Sequence, residues 1–116
     1  MHPHAHERGK QRSNRVDQAL TYWLAALSSK SGARAAAVGT TDGLPVAHTG
    51  NVDPLELACA GSLAVKGDLR AARREVADVD ATMVRLFDGT ELVLSLCGAK
   101  APSSVIAGPH LRRIFA

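Results

Sequence analysis

Aromatic side chains are scarce in this sequence, four among 116 residues. Apolar residues still reach 46%, so the core must be built from Ala, Val and Leu. That composition favours close packing of small residues over large pockets. There are only two cysteines, Cys59 and Cys97, and neither belongs to a C-x-x-C pair. A metal knuckle or dithiol motif is thereby excluded, and two buried thiols are expected. No apolar run approaches the roughly twenty residues of a membrane span, and the first residues hold no apolar stretch of signal-peptide type. No membrane contact is expected, and the chain is placed in the cytoplasm. G-x-S-x-G, H-E-x-x-H, Walker and dinucleotide fingerprints are all missing. The expectation is therefore a protein that is not an enzyme, with no catalytic residue, metal or cofactor. Asp78 and Asp80 fall in a polar connector, Asp88 belongs to a turn, and His48 and His110 are isolated residues of the surface or its margin.

The charge that is present is unevenly placed. Of a formal net +3, much sits in "MHPHAHERGKQRSNR", where Arg8, Lys10, Arg12 and Arg15 face only Glu7. A nucleic-acid reader would add a basic helix face or stacking aromatics, and neither is evident. Residues 1–12 carry no apolar periodicity and read as a disordered basic tail, followed by one domain over 13–116. His2, His4 and His6 could hold Cu or Ni loosely, but nothing would fix them, so a solvated tail is expected.

From Asn14, a candidate N-cap, Val16, Leu20, Trp23, Leu24 and Leu27 recur at helical spacing until Gly32 closes the segment. Two apolar runs then flank Thr41-Asp42-Gly43, and two more, "ATMVRLF" and "ELVLSLC", flank Asp88-Gly89-Thr90. Both read as hairpins, with Pro45 at a strand start or on an edge. The loop within "VGTTDGLPVAHTG" lacks the glycines, the lysine and the immediate helix of a phosphate cradle, so it is expected only to turn the chain.

Between the hairpins, Asp53 and Pro54 start a long central helix. Leu55, Ala58, Ser62, Val65, Leu69 and Val76 form one stripe, suited to a sheet. Ala60, Ala64, Gly67 and Ala71 form a second, nearly opposite stripe of small residues. Close approach by another backbone explains that second stripe; so does an Ala-rich chain filling an exposed face with good helix formers. A last short helix is expected from Pro109, with Leu111, Ile114 and Phe115 folding back. Two hairpins, a central long helix and short flanking helices read as an α+β sandwich on an antiparallel sheet.

Over Val16 to Cys97, the chain resembles the Roadblock family of dynein light-chain type domains, in its bacterial, GTPase-associated branch. "ARAAAVGTTDGLPVAHTG", "LELACAGSLAVKGDL" and "MVRLFDGTELVLSLCG" carry the likeness. The resemblance implies a homodimer with central helices side by side and sheets joined edge to edge. The small stripe Ala60, Ala64, Gly67 and Ala71 would be its interface. It also implies a scaffold or regulator of a Ras-like small GTPase. Arg70, Arg73 and Arg74 are candidate partner contacts, though a solvated helix end accounts for them as well. The family's extra edge strand after the central helix has only the short, charged "RREVADVD" to occupy it here. A small-molecule sensor or a general protein-interaction domain of similar layout is the alternative.

Overall fold

The computed structural model describes the backbone of residues 3–116 and the side chains from residue 14 onward. In chain order the elements are α1 (Pro3–Ser31), β1 (Ala35–Thr40), β2 (Pro45–Gly50), α2 (Pro54–Val65), α3 (Leu69–Glu75), β3 (Val79–Arg85), β4 (Glu91–Cys97) and α4 (Ser104–Ile114). The strands form one antiparallel sheet in the order β2-β1-β4-β3, so the fold is α+β. The two hairpins join where β1 pairs with β4, from Ala35 opposite Cys97 to Thr40 opposite Leu92.

Both turns are built as their Asp-Gly pairs require. Gly43 and Gly89 take φ values of +86° and +90°, a region that other residues enter at a cost. In the second turn Leu86 N donates to Thr90 O at 2.8 Å, and Thr90 N donates to Asp88 Oδ1 at 2.9 Å. That backbone donor holds the Asp88 carboxyl below the usual range. Pro45 opens β2, an edge strand, where its missing N–H removes no central ladder bond.

Each sheet face has its own cover. On one, Leu20 and Leu24 of α1 and Ala107 and Leu111 of α4 pack on Val38, Leu92, Leu94 and Leu96. On the other, Leu57 and Ala60 of α2 and Ala72 of α3 pack on Ala35, Ala37 and Cys97. β4 lies between two strands and under helices on both sides, so Leu92 through Cys97 are all buried.

Three expectations need correction. First, α1 does not start at Asn14 but runs back to Pro3, so the backbone of residues 3–12 is helical where a disordered tail was expected. Between Pro3 and Ser31 only Gly9 is a strong helix breaker, and Pro is tolerated in a first turn. The side chains of His4 and His6, and all of His2, lie outside the described residues.

Second, the central helix is two helices. Gly67 N donates to Ala64 O at 3.1 Å and Asp68 N to Leu63 O at 3.0 Å, with Gly67 at φ +93°. That pair of bonds is a Schellman stop. Asp68 then caps α3 by accepting from Ala71 N at 3.1 Å, so "KGD" ends one helix and starts the next. The start of the charged segment "RREVADVD" is thus helical, and β3 begins only at Val79.

Third, α4 begins at Ser104 rather than Pro109, with Gly108 and Pro109 inside it. Pro109 removes one backbone bond, but burial of Ala107 and Leu111 on the sheet holds the helix across that gap. Ile114 and Phe115 fold back on the core as expected.

Candidate functional site

The Val38–Gly50 loop is tied to its own chain. Gly43 N donates to Thr40 O at 3.1 Å and Leu44 N to Thr40 Oγ1 at 3.2 Å. From α2, Ser62 Oγ donates to Thr41 O at 2.5 Å. A methyl on Gly43 would stand 3.2 Å from the Cys59 Cα and Sγ. These amides point back into the turn and do not form an open anion nest. The loop turns the chain, as its sequence implied.

The small-residue stripe does not exist as one helix face. Ala60 is wholly buried in the chain's own core, Ala64 packs against that core, Gly67 forms the helix stop, and Ala71 belongs to α3. The glycine that brings a helix close is Gly61. A methyl there would overlap Ser95 Oγ and stand 3.2 Å from Val93 Cγ1. Nor does the larger stripe face the sheet as a unit. Ala58, Ser62 and Val76 are buried, whereas Leu55 and Leu69 are 50% and 40% exposed.

Arg70, Arg73 and Arg74 are exposed on α3. Arg73 faces a groove of about 600 Å³ at the end of the sheet where β1 and β3 begin and β4 ends. A three-residue network lies there. Arg34 Nη2 donates to Asp78 Oδ2 at 2.5 Å and to Cys97 Sγ at 3.0 Å. The Cys97 thiol donates to Asp78 Oδ1 at 3.1 Å. The thiol and guanidinium donors hold the Asp78 carboxyl below its usual range. Burial first, and Asp78 second, push the Cys97 thiol up. The hydrogen bond to Asp78 raises Arg34 further. Buried and hydrogen-bonded to Asp78, the Cys97 thiol serves as a donor within this network.

Sequence reasoning missed this network. Arg34 is 44 residues from Asp78 and 63 from Cys97, and no spacing rule links them. Only the sheet order, which sets β1 and β3 on either side of β4, brings them together. Nearby, Asp80 Oδ2 accepts from Ala101 N at 2.6 Å, which anchors the loop after β4.

The remaining candidates behave as surface or packing residues. His110 stacks on Trp23 with ring centroids 6.0 Å apart, and His48 is exposed on β2. Among the described residues no group of three or more His, Cys, Asp or Glu is placed to hold a metal. No helix among them is long and apolar enough to cross a membrane. Compared with protein-family models, curated proteins and solved structures, the chain matches none.

Proposed function

We propose that this chain is a non-catalytic, homodimeric scaffold or regulator of a Ras-like small GTPase, as its resemblance to the Roadblock family implies. The observation that carries the reading is an uncovered apolar shoulder beside α2. β2 is an edge strand, and Leu44, Val46 and Leu55 are 59%, 39% and 50% exposed around it. An open edge with apolar neighbours is a template for pairing with another chain. A second copy there would set sheets edge to edge and α2 helices side by side, the arrangement the resemblance implies. The segments that carry the resemblance also supply hairpin, α2 and hairpin in the implied order. In this reading Arg70, Arg73 and Arg74 meet acidic switch loops of the GTPase.

The test is affinity for small GTPases from the same cytosol, each loaded with GDP or with a GTP analogue. Binding that differs between the two states, and that falls when Arg70, Arg73 and Arg74 are all replaced by Ala, supports the reading. Binding in neither state by any of them removes it.

A further inference from the structure

The groove at the end of the sheet has charges that the protein does not fully use. Both of its acids are engaged: Asp78 accepts from Arg34 and Cys97, and Asp80 accepts from Ala101 N. Its cations are less committed. Among the described residues Arg34 is bonded through Nη2, with its side chain 63% exposed, so the outer donors of its planar fork remain open. Arg73 comes from the last turn of α3 and Lys100 from the loop after β4. Among the described residues neither forms an ion pair. Gly98 completes the wall at φ +87°, and a methyl there would come within 2.8 Å of Arg34 Nη1. The positive φ favours glycine at this position, and without a Cβ the backbone leaves room for the guanidinium.

We propose that this groove binds a phosphate dianion, as inorganic phosphate or as the phosphoryl group of a small phosphomonoester. Its volume, about 600 Å³, lies within the usual range of about 300–1,000 Å³ for small-ligand clefts. Three cations arriving from three separate elements suit a tetrahedral oxyanion, whose oxygens point in different directions. A carboxylate offers two coplanar oxygens, enough for Arg73 and Lys100 but not for the open donors of the Asp78-paired Arg34 as well. The Arg34 fork is pre-set by Asp78 and Cys97, so little rotamer freedom is lost on binding. Arg73 also belongs to the proposed GTPase contact, whereas Lys100 lies outside the α3 patch, so Lys100→Ala should weaken phosphate binding and leave GTPase affinity unchanged.

The test is isothermal titration of the full chain with inorganic phosphate, glycerol 3-phosphate and succinate at low ionic strength. Saturable 1:1 binding of a phosphate below about 1 mM is expected, with Arg73→Ala and Lys100→Ala each weakening it about tenfold. Both residues are exposed, so their loss leaves the fold intact, which circular dichroism checks. Arg113→Ala on α4 removes the same charge elsewhere and should leave the affinity unchanged. Tighter binding of glycerol 3-phosphate than of phosphate assigns an ester as the ligand; equal binding assigns free phosphate. The proposal is overturned by absence of saturation at tens of millimolar. It is equally overturned if succinate binds as well as phosphate, or if Arg113→Ala weakens binding as much as Lys100→Ala.

Discussion

The two faces of the sheet are packed by different means. Under α1 and α4 the contacts are Leu20, Leu24, Leu92, Leu94, Leu96 and Leu111, long side chains that span the gap between layers. Under α2 and α3 they are mainly Ala35, Ala37, Ala60, Ala72 and Cys97, with Gly61 lying on Ser95. The first face is held by area removed from water, the second by close approach of backbones. Truncation should therefore be most costly at the leucines of the first face, and added atoms most costly where Gly61 meets Ser95 on the second.

The largest effect should come from Leu94→Ala, since Leu94 is fully buried in the centre of the leucine face. A cavity there should cost about 2–5 kcal/mol in urea denaturation. A cost below 1 kcal/mol would show that the face collapses around the gap. On the opposite face Gly61→Ala should cost about 1–3 kcal/mol, although alanine is the better helix former, because the methyl must displace Ser95 or lift α2. Among the described residues the buried Ser95 Oγ has no hydrogen-bond partner. Ser95→Ala should accordingly be neutral or stabilising by up to about 1 kcal/mol. Destabilisation by Ser95→Ala would mean that the hydroxyl has a partner, and the contrast between the faces would weaken.

A smaller effect follows from pH and concerns the end of the α2/α3 face alone. The folded Asp78 carboxyl titrates below its ordinary value of 3.8. Its contribution is complete above that value and is lost as pH falls through the folded one. Cys97 titrates above its ordinary 9.0, so its share is complete below that value and is lost as pH rises through the folded one. Asp78→Asn should flatten the acid limb of the melting temperature while leaving the Asp88 contribution in place. An unchanged acid limb would show that the network adds nothing to stability.

The same contrast decides what could be read from the sequence. Val16, Leu20, Trp23, Leu24 and Leu27 mark α1 because large residues recur at helical spacing, and β4 shows its alternation in Leu92, Leu94 and Leu96. Asp42-Gly43 and Asp88-Gly89 mark the hairpins through local turn chemistry. On the α2 face size no longer reports burial: Leu55 is half exposed while Ala58 and Gly61 are buried. The stripe Ala60, Ala64, Gly67 and Ala71 requires one continuous helix, whereas Gly67 and Asp68 are stop and start signals within three residues, "KGD". The Arg34–Asp78–Cys97 network depends on strand order, which no local pattern encodes.

The central functional claim, that two copies meet across the β2 edge and α2, is tested most directly by light scattering coupled to size exclusion. The wild-type chain should elute with twice the mass of one chain at tens of micromolar. Val46→Glu combined with Leu55→Glu, both on exposed positions, should halve that mass without loss of helical signal. A wild-type monomer at that concentration, or a double variant that remains dimeric, would contradict the account.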